Sequence, residues 1–330
     1  MDLAVLCLLV FAATLLGTKF VLKQAQKKAH LDHPGERSSH KIPTPHGGGL
    51  ALSAVVIGAW IFLGLKSAAL SVELAVVLTA MAGLAVVSRL DDITPLPAKL
   101  RLAAQALAVG ATLATLPVGH GIIGLLPAPI EWALAAVGWV WFINLYNFMD
   151  GIDGITGVET LTIGGGIAFL TLGAGAASGF GGSFALVIAA AVLGFLWWNW
   201  HPAKIFMGDV GSVPLGFALG WLLLHLALSG QWAAALILPL YYLADATLTL
   251  GRRLLRGNKV WEAHKEHFYQ KAHQGGWPHD KVVLTIAAAN VVLVTLAWTA
   301  SQGWPWVSLG AAALTVALLL LRLSKMGRRS

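Results

Sequence analysis

The sequence predicts an all-α, polytopic membrane protein with about eleven transmembrane helices. Hydrophobic residues make up 57% of the 330 residues and charged residues only 11%, whereas charged residues are about a quarter of an ordinary soluble domain. The mean hydropathy of +0.75 agrees with this composition. The apolar runs approach the ~20 residues that a helix needs to cross a hydrocarbon core of about 30 Å. These observations exclude an ordinary soluble domain.

The predicted spans are the apolar runs bounded by charges, prolines or glycine-rich turns. In chain order they cover residues 3–22, 47–65, 74–90, 100–115, 132–149, 155–173, 183–200, 213–228, 232–250, 282–300 and 306–321. The whole chain, 1–330, is thus predicted to be one integral membrane domain. Its expected cytoplasmic loops lie near residues 23–46, 91–99, 150–154, 201–212 and 251–281.

The distribution of positive charge predicts an N-terminus outside and a C-terminus inside. With eleven spans in this orientation, Lys66 alone among the 22 Lys and Arg residues falls in an outer loop, as the retention of positive charge in the cytoplasm requires. In the first span, Asp2 precedes the apolar run and lysines follow it, which favours an uncleaved helix over a secretory signal. The net charge of +7 is explained by this topology and by anionic lipid, so no nucleic-acid partner is expected.

Acidic residues at the ends of apolar segments all fall on the predicted inner face. They are Asp91 with Asp92, Asp150 with Asp153, and Asp209, and the polar stretch 252–281 joins them. Carboxylates at the edge of hydrocarbon are costly, so several on one surface indicate a functional site. The single cysteine, Cys7, lies in the first span, which excludes a disulfide framework and a cysteine-based metal site.

The loop before the second span combines cations with a run of three glycines. Arg37 and Lys41 precede Gly47, Gly48 and Gly49. Cations bind phosphates, and glycines let backbone amides approach an anion at a helix start. Close helix packing explains such a glycine run equally well, and the sequence leaves both interpretations open.

The paired carboxylates Asp91 and Asp92 repel each other unless a divalent cation, a proton or a nearby base compensates. Lys99 and Arg101, at the start of the next span, could return to the same place. The alternative is that the pair simply marks a helix end in water.

A polar stripe follows in the fifth span and its loop. Asn144 and Asn147 share a helix face, and Asp150 and Asp153 continue the three-residue step into a glycine-broken turn. Oxygen ligands at this spacing suit a hard cation such as Mg²⁺. Hydrogen bonding between helices is the alternative interpretation.

Two later loops add further candidate binding residues. Asn199 and Phe206 precede Asp209, which lies between glycines that let the backbone bend around a ligand. In the last polar loop, His264 and His267 would share a helical face if that segment were helical. A zinc site is one interpretation, but no third ligand stands at a suitable spacing, so phosphate binding is preferred.

Together these residues predict metal-assisted phosphoryl transfer at a membrane surface, because carboxylates can hold Mg²⁺ while cations and amides hold phosphates. The lipid phase would supply a phosphate acceptor, and a soluble nucleotide would be the donor.

These motifs, from about residue 35 to residue 273, resemble those of the polyprenyl-phosphate N-acetylhexosamine-1-phosphate transferases. The resemblance implies transfer of a sugar 1-phosphate from a UDP-N-acetylhexosamine to undecaprenyl phosphate in the bacterial inner membrane, with release of UMP. It implies Mg²⁺ as cofactor, with Mn²⁺ as a substitute, and the apolar outer spans would permit a homodimer. The run HKEHFYQ departs from the triple-His and HxHH patterns and is similar to the O-antigen initiating branch.

Residue roles follow from the same resemblance. Asp91 and Asp92 match the aspartates expected to bind or deprotonate the lipid phosphate, and Asp150 and Asp209 match the metal and pyrophosphate ligands. His264 and His267 fall in the family's histidine loop. The residues matching the uridine pocket are Lys41, Asp153, Asn199 and Phe206.

Two other functions stay open on the sequence alone. An ion-coupled transporter also carries intramembrane acids, although these acids cluster at one face and not at the midplane. A phosphatidyltransferase with a CDP-linked donor would carry its acids in one stretch. For the transferase, direct attack by the lipid phosphate is favoured over a covalent aspartyl intermediate, because that phosphate is already largely ionised near pH 7.

Overall fold

A computed structural model describes residues 1–27, 31–32, 43–66, 71–116, 121–172, 180–259 and 264–327. Within these ranges the protein is a helical bundle, and two strands of two residues, β1 (Leu31–Asp32) and β2 (Thr44–Pro45), pair antiparallel. The helices are α1 (Leu3–Lys27), α2 (Gly49–Lys66), α3 (Val72–Ile93), α4 (Ala98–Leu113), α5 (Ala128–Phe148), α6 (Ile155–Leu172), α7 (Phe180–Asn199), α8 (Asp209–Leu226), α9 (Trp232–Ile237), α10 (Leu240–Leu255), α11 (Phe268–Gln274), α12 (His279–Ser301) and α13 (Pro305–Met326).

The prediction of an all-α polytopic membrane protein is confirmed. Nine helical segments in the described ranges are long and apolar enough to cross a membrane. Two of the eleven predicted spans are helical but fall short of that length. The span predicted at 100–115 is the 16-residue α4, and the span predicted at 232–250 is divided at Pro239 between the six-residue α9 and the 16-residue α10.

Contacts between helix ends show that the chain runs back and forth between two ends of the bundle. At one end, Arg101 at the start of α4 lies 3.8 Å from Asp209 at the start of α8. At the other end, Glu73 at the start of α3 pairs with His225 near the end of α8, and Lys66 at the end of α2 donates to the Met1 carbonyl. The end of α13 packs on α11 at the first end, so the C-terminal helix finishes beside the acids. That this end faces the cytoplasm stays a prediction from the charge distribution.

Helix α8 is the buried centre of the bundle, and small residues bring α5 close to it. An added Cβ on Gly220 would overlap the ring of Trp139, and one on Gly216 would lie 3.0 Å from the Tyr146 Cβ. The Trp139 indole N–H donates to the Phe217 carbonyl at 3.0 Å. Small residues let apolar helices approach closely in lipid, and here they set the end of α5 beside the start of α8.

The glycine run before α2 serves close packing. An added Cβ on Gly49 would overlap the Cα of Gly211 in α8, and one on Gly48 would meet the ring of Phe195 at 2.7 Å. Gly49 also donates its backbone N–H to the Met207 carbonyl at 2.9 Å. Of the two interpretations of this run, the packing one is therefore realised for Gly48 and Gly49, and it places the start of α2 against the start of α8.

Replacing Gly49 by alanine should destabilise the protein, because the methyl group has no room between the two helices. Overpacking of this kind costs about 1–3 kcal/mol. Gly58→Ala in the same helix is the matched control, since an added Cβ there meets nothing within 4 Å. Thermal unfolding in detergent should show a lower midpoint for Gly49→Ala and an unchanged or higher one for Gly58→Ala. Equal midpoints for the two variants would contradict the close contact of α2 with α8.

Candidate active site

Asp92 and Asp209 meet where α3 ends and α8 begins. Gly208, at φ 73°, turns the chain into α8, and the backbone N–H of Asp209 then donates to the Asp92 carboxylate. The Oδ2 atom of Asp92 is buried and accepts no hydrogen bond within the described part of the chain. Buried carboxylate oxygens normally have a partner, so this oxygen is suited to a cation, a proton or a ligand.

The neighbouring Asp91 is used differently. Its Oδ1 accepts the Leu96 backbone N–H at 2.6 Å, and its Oδ2 pairs with Arg101 Nη1 at 2.7 Å. Both oxygens are thus occupied by the turn that joins α3 to α4. Of the two bases predicted to compensate the pair, Arg101 does so, whereas the Lys99 side chain is exposed. Adjacent residues on a helix point about 100° apart, so Asp91 and Asp92 face different sides of α3.

Asp150 lies partly buried in the loop between α5 and α6. Burial raises its pKa to about 6, and the nearby charges of Asp209 and Asp153 raise it further, while a hydrogen bond from Thr156 opposes them. The charge of Asp209 also acts on Asp92, so carboxylates from three separate parts of the chain influence one another. Asn147 joins them, because its amide donates to Ser212 Oγ at 3.0 Å and also bonds Asp209.

A cavity of about 170 Å³ opens beside these groups. Its polar lining consists of Arg101, Gln105, Asn144, Asn147 and Asp209, together with Ser88. The Asn144 amide donates to Gln105 Oε1 at 2.6 Å, whereas the Asn147 amide donates to Ser212. The two asparagines share a face of α5 but bind different helices. Carboxylates and amide oxygens are ligands that Mg²⁺ accepts. Together with the unpaired oxygen of Asp92, this donor set fits a hard cation.

Asp153 is held by two histidines that the sequence analysis missed. Its Oδ2 lies 2.6 Å from His201 Nδ1 and 3.2 Å from His279 Nδ1, and accepts the Ala203 N–H at 3.1 Å. Although burial raises the pKa of Asp153, the bonds to His279 and His201 hold it at about 2. The three side chains are also close enough to share a metal ion. No spacing in the sequence relates His201 to His279.

The other predicted nucleotide-binding residues divide into three groups. Asn199 joins two loops, because its Oδ1 accepts the Gly154 N–H at 3.0 Å and its Nδ2 donates to the Ile205 carbonyl at 2.9 Å. Phe206 is half-buried and joins the loop before α2 through its backbone N–H, which donates to the Pro45 carbonyl at 2.8 Å. Arg37 and Lys41 lie outside the described residues.

His264 and His267 would share a helical face only in a helical segment, and residues 264–267 are not helical. Helix α11 begins only at Phe268, with His267 as its N-cap, yet the two rings still stack with centroids 4.9 Å apart. His267 Nδ1 lies 3.1 Å from Asp245 Oδ1. Burial, then the charges of His267 and Arg253, lowers the pKa of His264 to about 4. A neutral His264 at pH 7 offers a phosphate a hydrogen bond but no positive charge.

Asp245 of α10 anchors this histidine loop, and the sequence analysis missed it as well. The buried carboxylate accepts the backbone N–H groups of Phe268 at 3.1 Å and Tyr269 at 3.4 Å. The Tyr269 hydroxyl in turn donates to the Phe148 carbonyl at 3.4 Å, and a Cβ on Gly151 would overlap that hydroxyl. The histidine loop is thereby fixed on the loop that carries Asp150. The sequence did contain a signal for Asp245, because a charged residue inside an apolar run indicates a functional or structural role.

A family model described as Glycosyl transferase family 4 matches residues 74–227. That range contains all five predicted site aspartates, from Asp91 to Asp209.

Three curated relatives extend the similarity over most of the chain. The phospho-N-acetylmuramoyl-pentapeptide-transferase of Deinococcus radiodurans is 30% identical over 292 residues, which are 80% of this chain and 88% of the relative. A probable undecaprenyl-phosphate N-acetylglucosaminyl 1-phosphate transferase of Bacillus subtilis is 27% identical over 323 residues, 89% of this chain and 84% of the relative. The decaprenyl-phosphate N-acetylglucosaminephosphotransferase of Mycobacterium tuberculosis (strain CDC 1551 / Oshkosh) is 29% identical over 323 residues, which are 86% of this chain and 79% of the relative.

Removing the Asp245 carboxylate should release the histidine loop. Asp245→Ala leaves two backbone N–H groups and the His267 ring without their acceptor, and each unsatisfied buried group costs about 1–3 kcal/mol. Hydrogen exchange of the amides in 266–271 should accelerate at least about tenfold. Asp280→Asn is the control, because that carboxylate accepts only a local N–H from Lys281. Unchanged protection of 266–271 in Asp245→Ala would show that α10 does not anchor the loop.

Proposed function

The chain belongs to glycosyl transferase family 4, and on that premise we propose that it transfers an N-acetylhexosamine 1-phosphate from a UDP-sugar to undecaprenyl phosphate and releases UMP. The relatives from Bacillus subtilis and Mycobacterium tuberculosis support a polyprenyl phosphate acceptor and N-acetylglucosamine as the sugar. The run HKEHFYQ supports initiation of O-antigen or a related envelope polysaccharide. We place the enzyme in the bacterial inner membrane.

The observation that carries this proposal is the meeting of Asp92, Asp150 and Asp209 at one end of the bundle, beside Arg101. These acids come from three separate loops, so the fold holds several like charges together at a cost. Such an arrangement is useful where a cation and phosphates will be bound. A transporter is not proposed, because the chain belongs to a family of transferases.

In the proposed reaction, an oxygen of the lipid phosphate attacks the β-phosphorus of the UDP-sugar. A new P–O bond forms there, and the bond from the β-phosphorus to the bridging oxygen breaks. UMP leaves with that oxygen, and the lipid carries a diphosphate-linked sugar. The lipid phosphate is already largely ionised near pH 7, so a general base adds little, and direct attack is favoured over an aspartyl intermediate.

Asp150 and Asp209 would hold the Mg²⁺, with Mn²⁺ as a substitute, and a bound ion would neutralise charge on the transferring phosphoryl group. The Arg101 guanidinium, at the start of α4, lines the cavity and can bind a phosphate. Asp92 Oδ2 has no protein partner within the described ranges, so this oxygen, and not those of Asp91, is available to orient the acceptor. Asp91 keeps Arg101 in place.

Product analysis tests the reaction. Membranes containing the protein, given radiolabelled UDP-N-acetylglucosamine, Mg²⁺ and undecaprenyl phosphate, should yield label in the lipid phase and an equal amount of UMP. Parallel reactions with UDP-linked GalNAc, QuiNAc and FucNAc identify the sugar, and reactions without acceptor serve as the control. The proposal fails if none of these donors gives lipid-linked label. UMP exchange without acceptor would instead favour the covalent intermediate.

The metal ligands are tested by charge removal. Asp150→Asn and Asp209→Asn keep the side-chain size but lose the negative charge, so turnover should fall at least about 10²-fold, the usual scale for removing an electrostatic group from a site. EDTA should abolish wild-type turnover, and added Mg²⁺ should restore it. Asp2→Asn, at the opposite end of the bundle, should behave as wild type. Substantial turnover by both site variants, or turnover that persists in EDTA, would remove these aspartates from the metal site.

A further inference from the structure

Gln105 is a buried amide on the wall of the cavity of about 170 Å³ beside Asp209. Only 5% of the residue is exposed, and it lines this cavity together with Arg101. Residues four apart on a helix lie on one face, about 6 Å apart along the axis. Arg101 stands near the start of α4, so Gln105 lies on the same wall, one turn further from the loops.

A chain of hydrogen bonds determines which end of the Gln105 amide is engaged. The Val140 carbonyl can only accept, so the Asn144 atom that lies 2.8 Å from it is the amide nitrogen. The same nitrogen lies 2.6 Å from Gln105, which must therefore present its oxygen. The Gln105 N–H2 group is left over, and within the described residues it donates no hydrogen bond.

Contact between helices accounts for only half of this amide. The pairing of α4 with α5 uses the Gln105 oxygen, whereas the nitrogen stays without an acceptor beside the cavity. A buried N–H group without a partner is costly, and native structures seldom contain one. The free N–H2 group therefore indicates that a hydrogen-bond acceptor binds in the cavity.

The donors on this wall suit an anion. The Arg101 guanidinium pairs with Asp91 through Nη1 alone, and its fork of five N–H groups leaves others free for a ligand. Guanidinium and amide donors one turn apart can bind two oxygens of a phosphate. Asp209 on the opposite side of the lining would repel the phosphate, so the donors of α4 and the proposed cation must outweigh it.

An apolar groove continues from the cavity along the outside of the bundle. Leu84 and Val87 line both the cavity and this groove, which has a volume of about 690 Å³ and lies between α3 and α4. The groove reaches Val72 at the far end of α3, about 22 Å from Val87 at the helical rise. An anion bound at Gln105 can therefore carry a long apolar chain, which favours a lipid phosphate over a soluble nucleotide.

We propose that the Gln105 amide donates a hydrogen bond to the phosphate of the polyprenyl acceptor, beside Arg101. The inference rests on the proposed function and deepens it, because it assigns a binding residue to the acceptor of that reaction. Gln105 contacts the lipid phosphate and not the UDP-sugar, so its removal weakens one substrate only.

Binding to the purified full chain in detergent tests the inference without turnover. Gln105→Met keeps the length of the side chain but has no amide. Its dissociation constant for undecaprenyl phosphate, measured by calorimetry, should rise about tenfold, since a hydrogen bond to a charged group is lost. The dissociation constants for undecaprenol, which lacks the phosphate, and for UMP, which lacks the chain, should each change less than about twofold.

Kinetics provide a second measurement that a merely structural role would not reproduce. In Gln105→Met, the KM for undecaprenyl phosphate should rise about tenfold, while the KM for the UDP-sugar changes less than about twofold and kcat less than about threefold. Thr112→Val is the matched control, because Thr112 is a buried polar residue of the same helix that donates to the Ala108 carbonyl at 2.9 Å. This variant should behave as wild type.

Gln105→Glu separates the lost donor from damage to the helix pairing. It keeps an acceptor for the Asn144 amide but replaces the N–H2 group by an oxygen, and Arg101 one turn away favours its ionised form. Its affinity for undecaprenyl phosphate should fall at least about tenfold, with UMP binding unchanged. If Gln105→Met unfolds, this variant decides.

The outcomes distinguish this inference from the proposed function. Wild-type protein that forms no lipid-linked product refutes the proposed function, whatever the Gln105 variants do. Product formation by the wild type, together with unchanged affinity of the folded variants for undecaprenyl phosphate, overturns the inference alone. Weaker binding of UMP, or an equal loss for undecaprenol and undecaprenyl phosphate, also overturns it, because Gln105 would then act on the donor or on the chain.

Discussion

The start of α8 is the constraint on which the rest of the site depends. A carboxylate, Asp209, must stand at the end of a helix that is otherwise buried in an apolar bundle, and its neighbours must come close enough to share its polar surroundings. Gly208 makes the turn, Gly211 lets the start of α2 approach, and Asn147 bonds Asp209 from the end of α5. A larger residue at Gly211 or Gly49 would separate the helices that carry the site.

Many of the site's polar side chains hold other residues in place. Asp91 is occupied by its own turn and Arg101, Asn199 joins two loops, and Asp245 caps α11. Without these side chains, water at the membrane surface would compete for the N–H and C=O groups of the loops. Loops between transmembrane helices also have little apolar surface with which to pack. Hydrogen bonds to buried side chains therefore hold these loops in one conformation. In the spans, packing between helices has that effect. Oδ2 of Asp92, by contrast, has no hydrogen-bond partner within the described residues.

The sequence predicted the membrane fold and the acidic end of the bundle well, because both are local signals. Hydropathy marks spans, charge marks loops, and the aspartates 91, 92, 150 and 209 each sit at the end of an apolar run. The division of roles between Asp91 and Asp92 was not predictable, since it depends on Leu96 and Arg101 folding back. The contact of Asp153 with His279 joins residues 126 positions apart. The stacking of His264 on His267 was not predictable either, because it occurs without a helix to align the two rings.

The location of the site limits the chemistry that it can perform. Acids midway along the spans would be reached only by an ion that crosses the bundle, whereas acids at one end can be reached both from the bilayer and from water. The cavity beside Asp209 has polar groups from α4 and α5 and apolar residues of α3 on its walls. In the proposed reaction, a phosphate that carries a long apolar chain would reach this cavity while its chain stays in the lipid phase. Its water-soluble partner can approach over the loops that hold Asp150 and Asp153, so a reaction between the two requires no movement of either across the membrane.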